Sequence, residues 1–217
     1  MAYRSSTHLG GGNSETVAPT VPSGATSGDI AIVAIYKENT AAVTPPAGFT
    51  LKTTVTSPAN YTLSVFWKRL TGADSGTYSF SWTGLAWRDA SCALFSGRVA
   101  SGDPFDGSPT TATATSTSVT CAALSPAASG DDLVSSAINT QGGDGAWGTA
   151  PTGMTARQVT SAWVAMWSAD NVASGSTGTK TMTAWTSDAM AGFLGALLPQ
   201  QVDAAIPPII VMPWRRP

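Results

Sequence analysis

The sequence predicts an all-β protein, a two-layer antiparallel β-sandwich of jelly-roll or lectin-like type, and three observations carry that prediction. Apolar residues fall in short runs rich in Val, Ile, Thr, Phe and Trp, separated by clusters of Gly, Pro, Ser and Asp, the chemistry of strands and turns. No segment reads as a long helix. The best candidate, 189–198, contains Gly192 and Gly195, each costing a helix about 1 kcal/mol relative to Ala, and it aligns with the strand-like Ser91–Phe95. Third, the chain is internally duplicated. Gly28-Asp29-Ile30-Ala31-Ile32-Val33 returns as Gly130-Asp131-Asp132-Leu133-Val134, and Pro46-Ala47-Gly48-Phe49-Thr50 as Pro151-Thr152-Gly153-Met154-Thr155. Leu63–Trp67 returns as Trp163–Trp167, and Tyr78–Thr83 as Met182–Thr186, with landmarks 100 to 105 residues apart. Solenoid repeats run at roughly 20–50 residues, so the alternatives are one sandwich or two tandem small domains.

In chain order, residues 1–27 hold Gly10-Gly11-Gly12, Pro19, Pro22 and Gly24 and leave room for one short strand near Glu15–Val21. Ile30–Tyr36 is a short apolar run, and Thr62–Lys68 mixes alternation with an apolar centre. Tyr78-Ser79-Phe80-Ser81-Trp82 alternates strictly, which puts the three aromatics on one core-facing side. Gly72–Gly76 and Ala173–Gly178 are hairpin-type connections, with glycines supplying positive φ. The repeat units read as 14–98 and 116–199, joined by a Thr/Ala/Ser-rich linker around Pro109–Thr117. About six strands per copy make roughly twelve, and in one sandwich the copies could interleave between the sheets. The duplicated sandwich spans 1–199, and 200–217 is an extended C-terminal arm, because Pro207, Pro208 and Pro213 exclude a helix.

Charged residues are 11% of the 217-residue chain and the net charge is −2, against about 25% charged residues in ordinary domains. No basic footprint for nucleic acid or for an anionic membrane exists. A Thr/Ser/Ala surface of this kind suits packing against neighbours. The start, Met1–Ser5, lacks an apolar signal region, and no run of 18 apolar residues occurs. Cys92 and Cys121 read as buried thiols.

Residues that could carry chemistry are sparse. His8 is the single histidine and lies in the glycine-rich start, which argues against a Ser-His-Asp triad. Asp103, Asp106, Asp131 and Asp132 lack the ligand spacing of a calcium loop and read as turn formers, and Glu15 and Glu38 are the only glutamates. The expectation is a protein with no catalytic residues, no metal and no cofactor. Of the eight tryptophans, Trp67, Trp82, Trp167 and Trp185 recur at matching strand positions and read as core. Trp87 and Trp147 read as loop-borne, exposed candidates for stacking on a host-surface glycan. In the arm, Ile209, Ile210, Val211, Met212, Trp214, Arg215 and Arg216 combine apolar anchors with the residue types enriched at interface hot spots, so the arm reads as a partner-binding segment.

The series Ser27-Gly28-Asp29-Ile30, Pro45-Pro46-Ala47-Gly48-Phe49-Thr50-Leu51, Val65-Phe66-Trp67-Lys68-Arg69 and Tyr78-Ser79-Phe80-Ser81-Trp82 resembles a module of minor tail and other virion structural proteins of tailed phages infecting actinobacteria. In that module a Gly-Asp strand precedes a TPPxGWT turn and a YWR strand. Here Phe49 stands where Trp is commoner, and Lys68 separates Trp67 from Arg69. The resemblance covers about 14–199. It implies a jelly-roll-like or lectin-like sandwich located in a virion, without established catalysis; the expected partners are other virion proteins and copies of this chain.

Overall fold

The computed structural model describes residues 3–72, 74–127, 129–140, 147–159 and 163–200. Within them are ten strands and no helix: β1 (Tyr3–Val17), β2 (Ile30–Lys37), β3 (Thr50–Thr56), β4 (Thr62–Arg69), β5 (Phe80–Phe95), β6 (Thr110–Cys121), β7 (Asp131–Asn139), β8 (Thr155–Gln158), β9 (Val164–Val172) and β10 (Lys180–Leu197). They form two antiparallel five-stranded sheets, ordered β1-β5-β2-β4-β3 and β6-β10-β7-β9-β8. The second order is the first shifted by five strands, so the duplication is visible as topology. Each copy builds one whole sheet, and the halves do not interleave.

Several expectations are corrected. Each copy contributes five described strands, not six. The glycine-rich start belongs to the fifteen-residue β1, and the expected linker at 109–117 is largely β6, because edge strands tolerate small and β-branched residues whose backbones pair on one side only. The turns at 72–76 and 173–178 are not hairpins, since β4 and β5 both pair with β2, and β9 and β10 both pair with β7. As expected, 189–197 is strand.

The sheets stack with β1 over β8, β5 and β2 over β9, β4 over β7 and β10, and β3 over β6. Three apolar layers result. Between the sheets lie Ile30, Ile32, Tyr36, Leu63, Val65 and Phe95 of the first copy with Val134, Ile138, Val164, Met166, Phe193 and Leu197 of the second. The outer face of the first sheet carries its own cluster, including Val33, Phe49, Phe66, Tyr78, Phe80 and Trp82. The second sheet has another, including Leu133, Trp147, Trp167, Met182 and Leu194. Both faces of β2 and β7 are therefore covered, which is why β2 reads as a continuous apolar run rather than an alternating one, while β7, equally buried, keeps Asp131, Asp132, Ser135, Ser136 and Asn139 among its apolar residues.

Register shows which residues correspond. Ile30 faces Phe95, and 102 residues later Asp132 faces Leu197. Val33 faces Phe66 while Ser135 faces Trp167, so the counterpart of Trp167 is Phe66 and not Trp67. A shift of one residue turns a strand side chain to the opposite face. Phe66 and Trp167 are indeed buried in the outer clusters, whereas Trp67 packs half-buried against the central one. Likewise Val17 faces Phe80 and Val119 faces Met182, which aligns Trp82 with Ala184 and Trp185 with Thr83. Trp185 is 71% exposed; the expectation that it is a core residue fails by the same single-residue slip.

Candidate functional site

β2 is eight residues long, about 27 Å at the usual rise, and the groups with chemical character gather beyond its two ends. One end is aromatic, the other polar.

At the aromatic end, Lys37 faces Arg88 and Glu38 N–H donates to Trp87 O at 2.9 Å. Trp87 is 38% exposed, as expected, although it sits within β5 rather than on a loop. Its ring meets Trp163 edge-on at 5.5 Å; Trp163 stacks on Tyr36 at 6.5 Å, and Tyr36 meets Tyr61 edge-on at 6.1 Å. A Cβ at Gly11 would lie 2.5 Å from Trp163 and 2.7 Å from Trp87, so the two indoles can close over β1 only because that residue is glycine. Tyr36 donates to Glu38 Oε1 at 2.8 Å, and burial with that carboxylate pushes the phenol well above its usual range.

Beneath the indoles, fully buried Asp89 accepts from Trp163 N–H (2.8 Å) and Val164 N–H (3.4 Å) of the opposite half, while its other oxygen lies 2.7 Å from His8 Nε2. His8 faces Ser91 across the β1–β5 ladder. His, Asp and Ser thus come together, contrary to a reading that set His8 apart in the glycine-rich start. They do not form a nucleophile open to solvent. Ser91 is fully buried and donates to Val164 O at 3.4 Å, so the group ties the two sheets together.

At the polar end, Arg98 is 3% exposed and links the copies. It donates to Gly130 O at 3.2 Å and Leu197 O at 3.1 Å, and lies 3.4 Å from Asp132 Oδ2. Asp131 and Asp132, expected to be turn formers, are fully buried residues of β7. The close partner of the Asp131 carboxyl is another acid, Asp106. Burial and the neighbouring Asp106 carboxyl push its pKa up to about 7, and burial pushes Asp132 up to about 6. Arg4 and Asp29 pair at 2.9 Å nearby, and both line a depression of about 260 Å³ together with Gly28, Arg98 and Gln200. The sequence singled out none of these acids as buried; the one signal was Asp132 standing where the first copy has Ile30.

Trp147 is corrected outright. It is 6% exposed and packs edge-on against Trp167 at 5.3 Å. Thr44 pairs with Ser81 and Trp147 with Ala184, so one register sets Val43 beside Trp82 and Trp147 beside Ala184. The two copies fill the same outer pocket from opposite strands. Trp185 is the exposed indole of this region and donates to Trp147 O at 2.7 Å.

Cys92 and Cys121 are buried free thiols, and burial pushes Cys121 up to about 12. Among the described residues no cluster of His, Cys, Asp or Glu is arranged to hold a metal ion, and no helix is long and apolar enough to cross a membrane. Ile209, Ile210, Val211, Met212, Trp214, Arg215 and Arg216 lie outside the described residues. Comparison with protein-family models, with curated proteins and with solved structures finds no match to this chain.

Proposed function

We propose that this protein is a non-enzymatic structural component of a phage virion, a minor tail or capsid-decorating protein that docks on neighbouring virion subunits through the segment following Gln200. The observation that carries the reading is the polarity of the sandwich. Arg4, at the start of β1, and Gln200, the last described residue, line one depression at the polar end, while Trp87 and Trp163 stand beyond the opposite end of β2. A body whose chain leaves from one end has the other free to face outward. The residues behind the virion resemblance have framework roles that fit this: Gly28 and Gly48 adopt positive φ at turns entering β2 and β3, and Phe49 packs on Tyr78 and Phe80 at 4.8 and 5.1 Å.

Deleting 206–217 should leave the circular dichroism and melting of the sandwich unchanged and abolish incorporation into assembled particles. Normal incorporation of the truncated protein overturns the docking role. A second reading, a host-surface glycan module, draws on the exposed ring of Trp87, an aromatic face of the kind on which sugars stack. It loses Trp147. Trp87→Ala should abolish binding to host polysaccharide under that reading and leave it unaffected under the structural one.

A further inference from the structure

The four outer strands of the sandwich are β1 and β3 in one sheet and β6 and β8 in the other. An outer strand offers a row of unpaired N–H and C=O groups, and stable monomers block such rows with charge, proline, bulges or a covering segment. β1 is blocked in each of these ways except proline. It carries Arg4 and Glu15 and three register shifts; Arg88 reaches over it to Gly10 O (2.8 Å) and Thr16 O (3.2 Å); and Ser5 and Thr7 hydroxyls donate to Ser23 O and Thr20 O, bringing 20–23 alongside. β3 has a register shift, and its Lys52 holds Asp103 at 2.8 Å. β8 is four residues long and contains Arg157.

β6, the counterpart of β1, has fewer of these devices: one register shift in its ladder, and at its start a hydroxyl clasp, Thr110 to Ala122 O, matching that of Thr7 to Thr20 O. Its twelve residues, Thr-Thr-Ala-Thr-Ala-Thr-Ser-Thr-Ser-Val-Thr-Cys, include no charge and no proline. Thr110–Ser116 pairs with β10 in unbroken register, and the one shift falls in the longer β10 segment between Thr183 and Asp188. Thr111, Thr113, Thr115 and Thr117 are exposed. Among the described residues, the hydrogen bonds joining β6 to the rest of the chain run to β10 and, from Thr110 Oγ1, to Ala122 O at 2.8 Å.

We propose that β6 is a self-association edge, pairing antiparallel with β6 of a second copy about a two-fold axis so that two sheets become one of ten strands. A second copy is the occupant that fits. An antiparallel self-pair is closed and isologous, an uncharged Thr/Ala strand opposes itself without like-charge contact, and Thr–Thr cross-strand pairs are favourable. Each other described edge of this chain would present β6 with a bulge, a charge or a short stretch. The contact is limited. The seven residues of the unbroken stretch, along a two-layer edge, give about 500 Å² per protomer, below the roughly 800 Å² of a standard stable interface. The dimer therefore forms at high local concentration, as in a particle, and dissociates on dilution. The pairing does not depend on the virion reading or on the segment after Gln200.

Sedimentation velocity from micromolar to near-millimolar protein should show a monomer–dimer equilibrium, with hydrogen exchange in 110–121 slowing as concentration rises and exchange in 3–17 unchanged. Thr113→Lys with Thr115→Lys should weaken the dimer at least tenfold at unchanged melting temperature. Mixing that variant with Thr113→Glu, Thr115→Glu should restore association, and deletion of 206–217 should leave the wild-type dimer intact. Three results would overturn the proposal: monomer at every concentration, a dimer indifferent to the lysines, or a dimer lost only with 206–217. If the lysine variant fails to fold, the exchange experiment on wild-type protein decides alone.

Discussion

The two copies share a backbone plan and differ in how they satisfy it. Asp29 and Asp131 follow equivalent positive-φ glycines, Gly28 and Gly130, at the entries to β2 and β7. Asp29 is matched on every side, by Arg4 at 2.9 Å and by the Thr26 amide and hydroxyl at 3.0 and 3.2 Å. Asp131 has no such partners and abuts Asp106. The outer pockets differ in the same spirit, Trp82 with Val43 in one copy and Ala184 with Trp147 in the other. Ladder register and total volume are what the fold requires of both copies. Which strand supplies the bulk, and whether a buried acid is paired, is free to diverge.

The largest expected effect tests the volume argument. Trp82→Ala and Trp147→Ala should each destabilise by about 3–5 kcal/mol in denaturant unfolding, as for other large core aromatics. Trp147→Val combined with Ala184→Trp, which recreates the arrangement of the first copy, should recover most of the loss caused by Trp147→Val alone. Simple additivity of the two substitutions would show that the pockets are not equivalent.

The next effect concerns Asp131, whose close partner is another carboxyl. An aspartate raised to about 7 in the folded protein, against 3.8 for its ordinary value, binds its proton more tightly folded than unfolded. Its contribution is fully present below pH 4 and is lost as pH rises through 7. Wild-type protein should therefore lose about 2 kcal/mol of stability between pH 5 and pH 8 from this group, at about 1.4 kcal/mol per pH unit less a discount for solvent screening. Asp131→Asn should flatten that slope and be the more stable protein at pH 8. An unchanged pH profile would show that Asp131 is ionised and solvated.

The smallest effect is at Trp185, the residue that the repeat alignment placed in the core. Trp185→Ala should shift stability by no more than about 0.5 kcal/mol, as for an exposed side chain, and a loss near that of Trp147→Ala would contradict the register.

Class, duplication and the strand positions of the apolar runs were legible because β-branched and aromatic runs between glycine-rich turns admit little else. Tyr78, Phe80 and Trp82 lie on one buried face, as their alternation requires. What was not legible follows from two features. Tryptophan identity aligns the copies one residue out of register at Trp67 and Trp167, and a sequence match cannot detect a slip that exchanges faces. Edge strands such as β1 and β6 are made of Gly, Ser, Thr and Ala because they pair on one side, so composition reads them as linker. The contacts of Asp89 with His8 and Trp163, and of Arg98 with Asp132, join residues more than 30 apart in sequence, which leave no local pattern.

The central apolar layer, in which Ile30, Ile32, Tyr36 and Phe95 of one copy meet Val134, Val164, Met166 and Phe193 of the other, joins the copies into one body and is reinforced by Asp89 and Arg98 across the seam. The most direct test is to express residues 1–108 alone and follow urea unfolding together with mass in solution. A fragment that is unfolded, or folds only by pairing its bare inner face with a second fragment, is the predicted result. A monomeric fragment with a sharp, cooperative transition would contradict it and make the copies two independent domains.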